Sequence, residues 1–306
     1  MDRIHLKAYG KVNLALDVIG KRPNGYHDVR MIMQTVQLFD RLTMEKIKED
    51  EIQLTTNLSY VPCNEQNLVY KAIALIKQEY GIKEGVRVHL DKHIPVSAGM
   101  AGGSSDCASA LYGMNQLFAL NLKIPKLMEL GVQLGADVPY CLLRGTALSE
   151  GIGEILTRLP AIPDCYFVIA KPAISVSTRF VYEHLNLQEI EQHPDIDGMI
   201  EALKETDLQG VAKRLSNTLE SVTIKQHPII AKIKETMLEH GAMNALMSGS
   251  GPTVFGIYDN LDTAKHALFT IRRQRLVKQS YLVEPFNIRK AEYATDNERR
   301  KGKRYE

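Results

Sequence analysis

Residues 94–106 read Ile94-Pro95-Val96-Ser97-Ala98-Gly99-Met100-Ala101-Gly102-Gly103-Ser104-Ser105-Asp106, between a predicted strand and a predicted helix. The extended run covers residues 86–94, and the helical pattern places Ala108, Leu111, Met114 and Phe118 on one face. Glycine lets the backbone approach a ligand closely. Ser104 or Ser105 is expected to cap the helix, so that its first-turn N–H groups point into the loop. This pattern favours a phosphate site, and the alternative is a plain Gly/Ser connector with an ordinary cap.

The bulk composition predicts a two-domain globular protein. A chain of 306 residues is long enough for two domains of about 150 residues each. We place the boundary near Pro160, giving domains 1–160 and 161–290 and a polar tail, 291–306, whose basic run is expected to be solvated. The formal net charge of +2 gives no indication of nucleic-acid binding. Any anionic ligand must therefore be held by a local site.

The location is expected to be the cytoplasm. The start of the sequence lacks the apolar core of a signal peptide, and no run of 18 apolar residues predicts a membrane span. The four cysteines show no CxxC spacing and are expected to be reduced. The sequence indicates no membrane partner and no particular oligomeric state.

Two stretches near the N-terminus carry candidate ligand-binding side chains. Val12, Leu14, Leu16 and Val18 alternate with other residues, which predicts a half-buried strand with Lys11 and Asn13 on its polar face. Pro23-Asn24-Gly25 predicts a turn, and Tyr26 and His27 follow it. Taken alone, the first stretch is more typical of a solvated strand face, and the second of a hairpin tip, than of a binding site.

Asp137 is expected at a sharp corner of the chain. A predicted helix with Leu127, Leu130 and Leu134 ends at Gly135, and Pro139 should hold Val138 in extended geometry. Asp137 would then lie between a helix and a strand. Taken alone, it is also explained as a turn aspartate that bonds its own backbone.

Other candidate residues are spread along the chain. Asn67 opens a predicted helix and is well placed as its N-cap. Ser248-Gly249-Ser250-Gly251 predicts a tight turn between two strand-like runs. The glycine stretch does not have the spacing of a Walker P-loop, and no GxGxxG follows a first strand.

Three stretches in this order resemble the motifs of the GHMP kinases, a family of galactose, homoserine, mevalonate and phosphomevalonate kinases. They are Lys11-x-Asn13 with Gly25-Tyr26-His27, then the run from Pro95 to Ser105, then Ser248 to Gly251. The Gly-Tyr-His turn, together with Gly135-Ala136-Asp137-Val138-Pro139, is similar to one branch, the 4-diphosphocytidyl-2-C-methyl-D-erythritol kinases of the non-mevalonate isoprenoid pathway. Ser97, Ala98 and Ala101 stand where other members of the family have glycine.

The resemblance implies an α+β fold with two domains. The N-terminal domain would be the α/β, ribosomal-protein-S5-domain-2-like type and the C-terminal domain ferredoxin-like, with the active site in the cleft between them. It also implies ATP and Mg²⁺ as cofactors and a cytidyl diphosphate alcohol as the small-molecule substrate, phosphorylated at its 2-hydroxyl.

The resemblance also assigns roles to residues. Asp137 would be the general base and Lys11 would hold it ionised and supply positive charge. The loop from Pro95 to Ser105 would bind the phosphates of ATP, with Ser105 as a hydroxyl near the metal. Asn67 and Lys92 would lie near the adenosine. The substrate-binding residues would be Asn13, Tyr26, His27, Thr178 and Tyr182, with the base held between the rings of Tyr26 and Tyr182, and Ser248 to Gly251 would support the phosphate loop.

Two other functions remain open from the sequence. The chain is also compatible with another GHMP kinase acting on a smaller alcohol, such as mevalonate or a sugar. A nucleotide-binding regulator that kept the fold and lost catalysis is the second alternative. The Gly25-Tyr26-His27 turn speaks against the first, and the presence of both Lys11 and Asp137 speaks against the second.

Overall fold

The computed structural model describes residues 2–190 and 192–287, so the predicted polar tail, 291–306, lies outside the described residues. Two long strands, β1 (Arg3–Lys21) and β2 (His27–Ile47), pair antiparallel and form the centre of a seven-stranded mixed sheet. The other strands of this sheet in the first half of the chain are β3 (Ile52–Thr56), β4 (Gly85–Asp91), β5 (Thr146–Glu150) and β6 (Ile155–Arg158). β4 and β5 pair with β2, β3 pairs in parallel with β4, and β6 pairs with β5.

The central strand β1 differs from its prediction in two ways. Both of its faces are buried between residues 11 and 18, so the predicted half-buried strand is wrong. The register with β2 also shifts between Asn13 and Ala15. This irregularity changes which side chains share a face. Val12 and Leu14 belong to one core cluster, whereas Leu16 and Val18 belong to the other, although the alternation predicted a single face.

Four helices belong to the first half of the chain, and their ends correct several predictions. They are α1 (Leu68–Tyr80), α2 (Gly102–Leu117), α3 (Ile124–Val132) and α4 (Val138–Leu143). Asn67 is the N-cap of α1, as predicted. The N-cap of α2 is Ala101, which makes no side-chain cap bond, so Ser104 and Ser105 lie inside the first turn instead of capping it.

Asp137 lies between two helices, and the predicted helix-to-strand corner is therefore wrong. α3 ends at Val132, and Gly135 falls in the linker that follows. Asp137 is the N-cap residue of α4, with Pro139 in the first turn. Proline is tolerated there because the first N–H groups of a helix have no internal partner. Val138 is consequently helical and not extended.

The second half of the chain forms a four-stranded antiparallel sheet. Its strands are β7 (Tyr166–Lys171), β9 (Asn244–Met247), β10 (Val254–Tyr258) and β11 (Gln279–Val283). They lie in the order β11-β7-β10-β9, which is the 4-1-3-2 arrangement of a ferredoxin-like sheet. The predicted α+β fold is confirmed at this level.

Helices from this half of the chain complete the fold. They are α5 (Thr178–Glu183), α6 (Ile196–Lys204), α7 (Leu208–Lys213), α8 (Glu220–Gln226), α9 (Ile229–Glu239) and α10 (Leu261–Arg273), with a 3₁₀ turn at Leu187–Glu189. The short strand β8 (Ser216–Asn217) pairs in parallel with β1, so this half also contributes an edge to the first sheet. The boundary near Pro160 stays a prediction. Within residues 2–190 and 192–287, every helix is too short or too polar to span a bilayer.

The glycine stretch meets the β9–β10 turn at Gly99. The Ser248 hydroxyl donates to the Gly99 carbonyl oxygen at 2.8 Å, and the Asn13 backbone N–H donates to the same hydroxyl at 3.3 Å. A Cβ atom at position 99 would lie 2.1 Å from the Ser248 carbonyl oxygen, and the φ angle there is +74°. Both the contact and the left-handed conformation therefore require glycine.

We expect Gly99→Ala to lower the free energy of unfolding by about 2 kcal/mol or more, because the chain must relieve a backbone clash as well as a left-handed conformation. Urea denaturation measures the change. Gly103→Ala is the matched control, since a Cβ there has no neighbour closer than 3.8 Å. Equal midpoints for Gly99→Ala and the wild type would show that the contact does not constrain the loop.

Candidate active site

Lys11 lies where β1, the glycine stretch and the start of α4 meet. Its Nζ donates to Asn13 Oδ1 at 2.6 Å and to the Gly99 carbonyl oxygen at 3.2 Å. The same ammonium group lies 3.9 Å from Asp137 Oδ2. The Lys11 side chain is 6% exposed and that of Asp137 is 31% exposed. A buried cation thus faces a carboxylate that solvent and ligands can still reach.

The backbone of β1 also holds the glycine stretch. The Lys11 N–H donates to the Met100 carbonyl oxygen at 3.1 Å. Ser97, Gly99 and Ala101 all have positive φ angles, so the chain turns tightly before α2 begins. The first N–H groups of α2 lack partners within the helix, and they form the positive end of its dipole. This geometry suits the phosphates of a nucleotide.

The two serines at the start of α2 have different environments. Ser105 is 2% exposed, which removes its hydroxyl from the cleft and argues against the predicted place beside a metal. Ser104 is partly buried, and its Oγ lies 4.0 Å from the position that a Cβ on Gly135 would occupy. Ser104 is therefore the hydroxyl that faces the linker carrying Asp137.

Asn67 and Lys92 have local partners that account for them. The Asn67 side chain accepts from the Val69 N–H at 2.9 Å and donates to the Pro62 carbonyl oxygen at 2.7 Å. Lys92 is buried, and its ammonium group is bound by two carboxylates, those of Asp40 and Asp106. Burial would lower the pKa of Lys92, but these two charges outweigh it and raise it. The Lys92 ammonium group is therefore bound within the protein, and the expectation that Lys92 lies near the adenosine stays a prediction.

The predicted substrate pocket contains an aromatic pair. The rings of His27 and Tyr182 lie 5.2 Å apart, centre to centre, at an angle of 40°. Tyr26 is 59% exposed, so His27 rather than Tyr26 lies against Tyr182 in this structure. Thr178 Oγ1 is hydrogen-bonded to Ser250 Oγ at 2.8 Å, which joins α5 to the β9–β10 turn.

Electrostatics connect this pocket to Asp137. Burial raises the pKa of Tyr182, and the negative charge of Asp137 adds to the effect. Partial burial and the charge of Lys21 lower the pKa of His27, so its ring is neutral at pH 7 and offers both a donor and an acceptor nitrogen. The Asp137 carboxylate is therefore close enough to the aromatic pair to act on the Tyr182 hydroxyl.

Two site residues escaped the sequence reasoning. Asp40 is a charged residue within the apolar run 31–44, and Asp106 opens the apolar face of α2. Both aspartates could have been found because each is a charged residue next to apolar ones. A charged side chain is almost never fully buried without a partner, so its position predicts a paired, buried group.

Comparisons with known proteins identify the family of this chain. Residues 67–145 match the family described as GHMP kinases N terminal domain, and residues 199–275 match GHMP kinases C terminal. A 4-diphosphocytidyl-2-C-methyl-D-erythritol kinase of Lachnoclostridium phytofermentans is 58% identical over 94% of this chain and 98% of the relative. Another, of Clostridium perfringens, is 46% identical over 92% of this chain and 98% of the relative.

Solved structures show the same fold. The crystal structure of a 4-(cytidine 5'-diphospho)-2C-methyl-D-erythritol kinase superposes with a TM-score of 0.80 at 30% identity, covering 93% of this chain and all of that one. A homoserine kinase from Cytophaga hutchinsonii gives a TM-score of 0.76 at 18% identity, covering 94% of this chain and 95% of that one, a likeness of fold alone. The chain belongs to the GHMP kinase family and, within it, to the 4-diphosphocytidyl-2-C-methyl-D-erythritol kinases.

Proposed function

We propose that this enzyme transfers the γ-phosphoryl group of ATP to the 2-hydroxyl of 4-diphosphocytidyl-2-C-methyl-D-erythritol, a step of the non-mevalonate isoprenoid pathway, in the cytoplasm. The observation that carries the proposal is the position of the Lys11 ammonium group, 3.2 Å from the Gly99 carbonyl oxygen and 3.9 Å from Asp137 Oδ2. One buried cation then serves both the nucleotide loop and the carboxylate. The names of the relatives support the choice of substrate.

Binding the triphosphate is the task of residues 95–105 and of the start of α2. Phosphoryl transfer depends mainly on positioning and on stabilising negative charge. The N–H groups at the start of α2 would hold the phosphate oxygens, and the Ser248–Gly99 contact keeps the loop in one shape. The transferring group would lie close to Lys11, because its ammonium group borders the same loop.

Asp137 would accept the proton of the substrate hydroxyl. Its carboxylate is partly exposed at the start of α4, while Lys11 beside it is buried. The ammonium group favours the ionised carboxylate and supplies positive charge where the transition state is negative. Asn13 accepts a hydrogen bond from Lys11 and thereby fixes the direction of the side chain.

Mg²⁺ would accompany the nucleotide. Among residues 2–190 and 192–287, no group of three or more His, Cys, Asp or Glu side chains is arranged to hold a metal ion. We therefore propose an ion held mainly by phosphate oxygens and water, with the Asp137 carboxylate nearby. Bound in that way, Mg²⁺ would neutralise part of the phosphate charge.

The cytidine would be held at the His27–Tyr182 pair. A flat base can stack on an aromatic ring, and a neutral imidazole can hydrogen-bond its polar edge. Tyr26 and Thr178 border this region, Tyr26 from the exposed turn and Thr178 from the start of α5. A mevalonate or sugar kinase would have no use for such a pair, and this separates the proposal from that alternative.

A coupled assay of ADP release tests the proposal directly. We expect ADP to form with 4-diphosphocytidyl-2-C-methyl-D-erythritol and not with mevalonate or galactose. Turnover of mevalonate would identify a small-alcohol kinase. No turnover with any of the three would favour a nucleotide-binding regulator.

Asp137→Asn should lower kcat by at least about 10²-fold, because a positioned base contributes about 10²–10⁴ to the rate. Binding of ATP should be retained, since the amide keeps the size of the side chain. Steady-state kinetics and calorimetry measure the two effects. Asp91→Asn is the matched control, because Asp91 is also 31% exposed. Near-normal turnover of Asp137→Asn would remove Asp137 from the mechanism.

His27→Ala should raise the KM for the cytidyl substrate about tenfold and leave the KM for ATP within about twofold, because a stacking contact and a hydrogen bond are lost on one substrate only. Kinetics with each substrate varied in turn measure the split. His184→Ala, at the exposed end of α5, is the control. Equal changes in both KM values would argue against a cytidine site at His27.

A further inference from the structure

Three charged side chains lie buried together beneath the glycine stretch. Asp40 is on β2, Lys92 follows β4, and Asp106 lies in the first two turns of α2. We call them the loop-anchoring cluster. Lys92 Nζ contacts a carboxylate oxygen of both aspartates, and its side chain is 5% exposed. The three side chains of the cluster therefore lie inside the protein.

Asp40 fixes the segment that leads into the loop. Its Oδ1 accepts from the backbone N–H groups of His93 and Ile94, the latter at 2.7 Å. Its Oδ2 accepts from the Lys92 ammonium group. Both oxygens of this carboxylate are thus used to hold residues 92–94.

Lys92 extends the connection to the segment that leaves the loop. Its Nζ donates to Asp106 Oδ2 at 2.6 Å, and a Cβ on Gly102 would lie 3.4 Å from the same nitrogen. Ile94 Cγ2 would lie 3.1 Å from that Cβ. One ammonium group therefore ties together the two ends of the phosphate loop, residues 92–94 and 102–106.

With all three groups ionised, the cluster carries one more negative charge than positive. Two carboxylates share one ammonium group, and Asp106 Oδ1 has no hydrogen-bond partner among the described residues. Burial raises the pKa of Asp106 well above its ordinary value, and Asp40 adds to this against the opposing charge of Lys92. A buried pair or triad of this kind is weak evidence for stability and is better explained by a need for one geometry.

We propose that the Lys92 side chain is a positioning group for the triphosphate of ATP: its ammonium group acts through the two ends of the phosphate loop and does not itself touch the nucleotide. The proposal rests on the proposed function, because it takes residues 95–105 as the site of the phosphates. It assigns to the ammonium group an effect on the loop and no contact with adenosine. A contact with the nucleoside and an effect on the loop are distinguished by which part of ATP loses affinity.

The test compares Lys92→Met with the wild type using three probes: ATP, inorganic tripolyphosphate and adenosine, each measured by calorimetry or by competition. We expect the affinities for ATP and tripolyphosphate to fall by the same factor, about tenfold or more, because a small misplacement of the binding groups is costly. The affinity for adenosine should change by less than about twofold. A tenfold change in affinity corresponds to about 1.4 kcal/mol, so the expected effect on adenosine is well below that value. At saturating ATP, kcat should stay within about threefold of the wild type, since the base and Lys11 are unchanged.

Two results would overturn the proposal. A loss of affinity for ATP and adenosine with unchanged tripolyphosphate binding would mean that Lys92 contacts the nucleoside. Unchanged affinity for all three probes would mean that the cluster does not position the loop. A wild-type enzyme that binds neither ATP nor tripolyphosphate would instead contradict the proposed function itself.

Asp106→Asn is the second variant, for use if Lys92→Met does not fold. It keeps the shape of the side chain and an oxygen for the Lys92 ammonium group, so we expect the same equal loss on ATP and tripolyphosphate, but smaller, about threefold. Asp262→Asn is the control, an exposed aspartate in the first turn of α10. A loss confined to ATP and adenosine in Asp106→Asn would again reject the proposal.

Discussion

The contact set of the Lys11 ammonium group is the interaction on which the active site depends. A buried cation needs partners, because removing it from water without them costs several kcal/mol. Lys11 finds an amide oxygen on its own strand, a carbonyl oxygen in the glycine stretch and a carboxylate at the start of α4. Satisfying this one charge therefore brings together three segments that lie far apart in the sequence.

The residues around Lys11 form two further layers of support. The Ser248 hydroxyl donates a hydrogen bond to the Gly99 carbonyl oxygen, so the second half of the chain helps to fix the loop. Lys92 ties the ends of the same loop from within the core. The loop that would carry the triphosphate is thus held by the side chains of Ser248 and Lys92.

The sequence predicted what is encoded in contiguous stretches. The glycine stretch before α2, the Asn67 cap and the glycine turn at Ser248 each depend on a few neighbouring residues. The resemblance implied that Lys11 lies near Asp137, and the two are 3.9 Å apart. The prediction that Val12 and Leu16 share one face of β1 was wrong. The register with β2 shifts between them, and the alternation of apolar residues does not show such a shift. The burial of Lys92 and Ser105 was not predicted because it depends on packing against distant elements. The sequence also did not show that His27, rather than Tyr26, contacts Tyr182, because Tyr182 is on α5, in the other half of the chain.

A crystal structure with a non-hydrolysable ATP analogue and the cytidyl alcohol bound together tests the central claim most directly. The account predicts that an Asp137 carboxylate oxygen lies within about 2.6–3.2 Å of the substrate 2-hydroxyl. It also predicts that the γ-phosphate lies beside the Lys11 ammonium group at the mouth of residues 95–105. A substrate hydroxyl bound away from Asp137, or a triphosphate bound outside this loop, would contradict it.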